Sequence, residues 1–168
     1  NKVIFIIHEW YCEKLAVRDA EQRMMYLDSA KRIIELASEA NVRSITIHPP
    51  YFYPPSDEYL IREKASKSLE REEAWRVSIK CLKELSKYAL KREIYLGIEN
   101  MELYSYENGV KKFFPAFGRT RYELSEILNS VRYSSLKITF DVGHANIGND
   151  PIDFLKNMFP QIIHMHLH

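Results

Sequence analysis

At 168 residues, with 46% hydrophobic and 28% charged residues, the chain suits about one globular domain and is too apolar to be disordered. A net charge of +1 without a basic stripe gives no compositional support for nucleic-acid binding, and the apolar runs are far too short to span a membrane. Cys12 and Cys81 are too far apart for a zinc knuckle, and five glycines without a phosphate-loop pattern leave little room for nucleotide binding, so a reduced, cytoplasmic protein is expected.

The apolar run Val3–Ile7 ends in His8 and predicts a strand covered on both faces. The loop His8-Glu9-Trp10-Tyr11 follows. Ala20–Ala40 predicts a helix with Leu27, Ala30, Ile34 and Ala37 on one face, stopped by Asn41. Ser44–Ile47 is the second strand and ends in His48, after which Pro49 and Pro50 forbid helix and Tyr51–Ser56 is a loop. Asp57–Arg92 reads as mostly helical, with Glu58–Arg71 a highly charged, exposed first half and Ala74, Ser78, Cys81, Leu85 and Tyr88 on one stripe.

Glu93–Ile98 is the third strand, ending in Glu99 and Asn100. The 18-residue loop Met101–Gly118 is long enough to be functional. Thr120 and Glu123 form a capping box for a helix carrying Leu124, Ile127, Leu128 and Val131. Lys137–Phe140 is the fourth strand and passes into a loop that carries Asp141, Gly143 and His144. Asp150 and Pro151 open a short helix to Phe159, and Ile162–Leu167, with His164, His166 and His168 on one face, is the fifth strand.

Five strands alternating with helices predict an α/β fold with a parallel sheet, read as one domain over residues 1–168. A flavodoxin-like open sheet is complete at five strands, whereas a (β/α)8 TIM barrel needs eight and roughly 250 residues. The chain stops abruptly on IIHMHLH, which favours a partial barrel of about five β/α units and a chain that is part of a longer protein. Both folds gather the carboxyl ends of their strands on one edge. There His8, His48, Glu99, Asp141 and His166 each end a strand, a set of imidazoles and carboxylates suited to a divalent cation. Each has a plainer reading. Asp141 closes an Asx turn, Glu99-Asn100 caps the next segment, and the histidines are hydrogen-bonded wall residues.

The segments FIIHEWY, SITIHPPYF, YLGIENM, ITFDVGHA and IIHMHLH resemble the xylose isomerase-like TIM-barrel superfamily, which holds sugar isomerases and epimerases together with endonuclease IV-type AP endonucleases. The resemblance covers nearly the whole chain and implies strands two to six of the barrel. It implies that Glu99, Asp141 and His166 are metal ligands, joined by a glutamate of the eighth strand that this chain lacks. Glu99 would also transfer protons, and His144 would contact substrate in epimerases and a further zinc in endonucleases. His8 and His48 would lie near substrate in the sugar enzymes and bind zinc in the endonucleases. Tyr11 and Trp10 are candidate substrate contacts. HPP stands where the family more usually has HPG.

The expected function is a divalent-metal-dependent isomerase or epimerase of a sugar, sugar phosphate or polyol, with manganese, magnesium, cobalt or zinc as cofactor. The expected partners are a small sugar and a second copy of the chain, with no membrane. Nucleic acid enters only with the alternative, a zinc-dependent AP endonuclease. A further alternative is a truncated or degenerate barrel without turnover.

Overall fold

The computed structural model describes residues 7–9, 11–52, 69–107 and 109–167. Trp10, Tyr53, His168, most of the charged segment 58–71 and most of the first apolar run therefore lie outside the described residues. Strand β1 is Ile7–Glu9, so it carries His8 within it and not after it. A 3-10 turn, Tyr11–Lys14, leads to helix α1, Ala20–Glu39. Strand β2, Ser44–Ile47, precedes helix α2, Arg71–Leu90. Strand β3, Tyr95–Glu99, is followed by β4, Tyr104–Glu107, and β5, Val110–Phe113. Helix α3, Arg121–Val131, precedes β6, Leu136–Asp141. Then come α4, Val142–Asn146, α5, Pro151–Met158, a 3-10 turn at Phe159–Gln161, and β7, Ile162–His166.

The helices form where periodicity and caps agree. Asp19 accepts from the backbone N–H groups of Glu21 and Gln22 at the start of α1, and Leu27, Ala30, Ile34 and Ala37 are its buried residues. Asn41, with φ of 56°, takes the left-handed position that stops it. Thr120 Oγ1 accepts from Glu123 N at 3.2 Å as the capping box requires, while the Glu123 carboxylate turns to Arg119 N at 2.9 Å.

Five strands form one sheet in the order β1-β2-β3-β6-β7, and every pair is parallel. The order follows the chain without reversal. A flavodoxin-like sheet reverses its strand order at a switch point, so this winding is that of a barrel arc. Ile45, Ile47, Leu96, Ile98, Ile138 and Phe140 are buried, and Phe140 stacks on Phe154 of α5 at 4.9 Å.

The opposite face is the concave one. There the Thr46 and Thr139 hydroxyls meet at 3.0 Å across β3, because the residue between them is Gly97. A Cβ on Gly97 would fall 2.3 Å from Thr139 Oγ1. Pairing of β6 with β7 skips Ile163, since Ile138 pairs with Ile162 and Thr139 with His164. That bulge sets the face on which His164 and His166 lie.

Two expectations need correction. The stretch 101–118 is not one long loop, because β4 and β5 pair antiparallel as a hairpin. Gly109 lies between the two strands, and its φ of 78° is a turn conformation that glycine favours. The residues after Asp141 are also not loop. They form α4, with Asp141 as its N-cap.

Gly97→Ala should destabilise the protein by about 1–3 kcal/mol in urea unfolding through overpacking. Adding Thr139→Ala should recover part of that loss, because it removes the atom the new methyl group strikes.

Candidate metal centre

Three strands deliver their last residue to one point. Glu99 ends β3, Asp141 ends β6 and His166 ends β7, and Asp141 and His166 are register partners. His48 follows β2, and His8 of β1 pairs with Thr46 on the concave face. The sequence named these five side chains, and the fold brings all five together.

Glu99 is at the middle. Its carboxylate is almost fully enclosed, and its two oxygens face different neighbours. Oε1 meets His166 Nδ1 at 2.9 Å and lies 3.7 Å from His144 Nδ1. Oε2 lies 3.4 Å from His8 Nε2 and 3.3 Å from His48 Nε2, yet makes no hydrogen bond with any described residue. Burial opposes the charge on Glu99, but the His48 and His166 imidazoles against it hold its pKa down to about 2.

Burial likewise opposes the charge on His48. The Glu13 and Glu99 carboxylates on either side outweigh it and raise its pKa to about 9. His48 Nδ1 lies 3.3 Å from Glu13 Oε2. Burial, and then the charge of His48, lowers the pKa of His8. The two rings approach at 3.0 Å between Nε2 atoms, where one must donate and the other accept. A charged His48 donating to a neutral His8 satisfies both shifts.

Asp141 divides its work. Oδ1 accepts from the His144 backbone N–H at 2.7 Å and so caps α4, while Oδ2 lies 3.6 Å from His166 Nδ1. The cap and the ligand readings of this residue are therefore compatible. Asn100 clamps the two strand ends. Its amide donates to Asp141 O at 2.9 Å and its side-chain oxygen accepts from Asp141 N at 2.7 Å.

The donor atoms form two sets, His8 with His48 and Glu99, and Glu99 with Asp141 and His166, each with all atoms within 4.8 Å of one another. Bonds of about 2.0–2.3 Å to a shared ion place ligand atoms about 3–4.5 Å apart, so both sets fit a divalent cation by donor type and spacing. The buried Glu99 oxygen that lacks a hydrogen bond fits the same reading.

Other candidates fall elsewhere. The Tyr11 ring packs beside Tyr26 of α1, at 6.5 Å, and Trp10 is outside the described residues. Tyr51 meets Phe114 and Phe52 meets Phe117, which is rim packing. His164 sits one register step below, beside Thr139, with its pKa lowered mainly by burial. Sequence reasoning passed over Glu9, Glu13 and Glu102. Glu9 is buried and accepts from the backbone N–H groups of Tyr11 and Cys12, holding the turn after β1. The cue available was their place within three or five residues of a strand-end histidine or glutamate.

The profile of the xylose isomerase-like TIM barrel family matches residues 1–168. The uncharacterized protein MJ1311 of Methanocaldococcus jannaschii is 29% identical over 149 residues, covering 87% of this chain and 44% of the relative. The crystal structure of a D-tagatose 3-epimerase-like protein is 25% identical with a TM-score of 0.78, covering 99% of this chain and 57% of that one. D-psicose 3-epimerase, crystallised in the presence of D-fructose, is 17% identical with a TM-score of 0.72, a likeness of fold that covers 98% of this chain and 52% of that one. The chain thus spans about half the length of these proteins.

His48, with its raised pKa, should stabilise the metal-free protein fully below about pH 6.5, and that contribution should disappear as pH rises through about 9. Urea unfolding in chelator of wild type and His48→Gln across that window checks it. The wild-type advantage should shrink toward high pH.

Proposed function

The chain belongs to the xylose isomerase-like TIM-barrel family, and from that premise we propose that it carries the metal centre of a divalent-metal-dependent sugar isomerase or epimerase. The observation that supports the reading best is Glu99, an ionised carboxylate enclosed at the meeting point of three strand ends with a separate donor set on each oxygen.

Glu99, Asp141 and His166 would hold the ion, with a glutamate from the eighth strand of the barrel as the further ligand the family resemblance implies. Manganese, magnesium, cobalt or zinc suits this mixture of oxygen and nitrogen donors. A divalent cation bound there would polarise the sugar carbonyl and stabilise the negative charge that develops as the neighbouring carbon loses its proton.

The remaining steps belong to side chains of this chain. Glu99 is ionised, and the family resemblance implies that it is the group that accepts and returns that proton. Asp141 offers Oδ2 to the centre while Oδ1 keeps α4 in place. His144 faces the same point through Nδ1, 3.8 Å from Asp141 Oδ1, and contacts the substrate. His8 and His48 line the other side of Glu99, where they orient hydroxyl groups. The substrate is a small sugar, free or phosphorylated, or a polyol.

The second donor set, His8 with His48 and Glu99, favours a rival. In a zinc-dependent AP endonuclease those residues bind a second ion, and the substrate is DNA.

In the full-length protein Glu99→Gln should lower ketose epimerisation by about 10²–10⁴-fold, the loss of a positioned acid–base group. Unchanged turnover would refute the sugar-enzyme reading. Incubation with an abasic DNA duplex, alongside elemental analysis of the bound metal, separates the rival. Strand cleavage with two or more zinc ions per chain would reverse the ranking.

A further inference from the structure

The ladder that joins β3 to β6 ends with Glu99 opposite Thr139. Asn100 N still reaches Thr139 O at 3.4 Å, after which the chain leaves the sheet for the hairpin. β6 runs two residues further, to Asp141. Alternate residues of a strand turn their N–H and C=O groups to the same neighbour, so the backbone groups of Asp141 face the side that β3 has left. Asp141 is fully buried, and both groups need a partner from the protein.

The Asn100 side chain meets both. Its Nδ2 donates to Asp141 O at 2.9 Å, and its Oδ1 accepts from Asp141 N at 2.7 Å. These partners fix the orientation of the amide, because a backbone N–H only donates and a carbonyl only accepts. The amide is a planar donor and acceptor, as a peptide group is, and it stands where the next peptide unit of β3 would continue the ladder. The Asn100 main chain serves a second residue of the site, since His144 Nδ1 donates to its carbonyl oxygen at 2.9 Å.

This pair of bonds runs between the main chains that carry the two carboxylates, because Glu99 immediately precedes Asn100. Asp141 Oδ1 is engaged with the His144 backbone N–H, so the reach of Oδ2 into the centre depends on where the Asp141 backbone stands. We propose that Asn100 is a positioning residue of the metal centre. Its amide extends β3 by one peptide-like unit and fixes the Asp141 carboxylate against Glu99 at a spacing that suits a divalent cation. The proposal rests on the reading of Glu99, Asp141 and His166 as cation ligands. Alanine at this position removes both bonds and leaves two buried backbone groups of Asp141 without them. Aspartate keeps the shape and the acceptor, but it sets a carboxylate oxygen against Asp141 O, so one bond becomes a repulsion.

The test uses the full-length protein, freed of metal by chelator and titrated by calorimetry with Mn2+ and with Zn2+. Wild type, Asn100→Ala, Asn100→Asp and Ser135→Ala are compared, and the melting temperature of each metal-free protein is measured. Ser135 is the control for stability. It lies at the opposite end of β6, and its buried hydroxyl donates to Ser86 O at 2.6 Å. Ser135→Ala should therefore lower the melting temperature and leave cation affinity unchanged. Asn100→Ala should lower the melting temperature and also weaken cation binding by about 10–100-fold, the usual effect of losing a group that holds a ligand in place. Asn100→Asp should weaken binding as well, against the direction in which its added negative charge alone would act. If Asn100→Ala does not fold, Asn100→Asp decides. Wild-type affinity in Asn100→Ala, affinity at or above wild type in Asn100→Asp, or an equal loss in Ser135→Ala would each overturn the proposal. A wild type that binds neither ion overturns the metal-centre reading, and the proposal falls with it.

Discussion

The structure depends on one enclosed charge. Glu99 is 1% exposed and ionised, and an isolated carboxylate in that position would be expensive. Four imidazoles stand within 3.7 Å of its oxygens, contributed by β1, by the residue after β2, by α4 and by β7, and those of His48 and His166 stabilise its charge. Each of those elements must therefore reach the same depth at the mouth of the arc. The register of the parallel strands is what ensures this.

The floor beneath Glu99 is built to let that happen. Gly97, two residues earlier on the same face of β3, leaves space for the Thr46 and Thr139 hydroxyls to join β2 and β6 directly. Asn100 repeats the connection one step higher, through both atoms of its amide to the backbone of Asp141. β3 and β6 are thus fastened below and above the carboxylates they carry. Rigid support of this kind allows two negatively charged groups to share one centre, because neither strand end can move away to relieve the repulsion.

In the pairing of His8 with His48 one ring must donate to the other, with the Glu99 carboxylate 3.4 and 3.3 Å from the two rings. Proton and metal compete for the same donors, so metal binding to that set depends on pH. The set of Glu99, Asp141 and His166 has a different composition, two carboxylates and one imidazole, and so a stronger preference for a hard cation.

Much of the fold was legible in the chain. Periodicity in Ala20–Ala40, the capping box at Thr120, and the Asp150-Pro151 start each placed a helix to within a residue or two. The hairpin and α4 were not read, although Gly109 and the capping geometry of Asp141 were there to be seen. Local cues identify elements because caps and amphipathic faces act over a few residues. By itself the sequence determined that Glu99, Asp141 and His166 end their strands and that His8 and His48 stand within a residue of the ends of theirs, since strand termini and chemical type are local properties. Only tertiary structure decided which atoms face each other: that Glu99 divides its oxygens between two donor sets, that a bulge at Ile163 accompanies the register that brings His164 and His166 to the centre's side, and that Glu102 stands against His144. Those outcomes follow from strand register and ring orientation, which depend on contacts between residues more than forty positions apart in most cases.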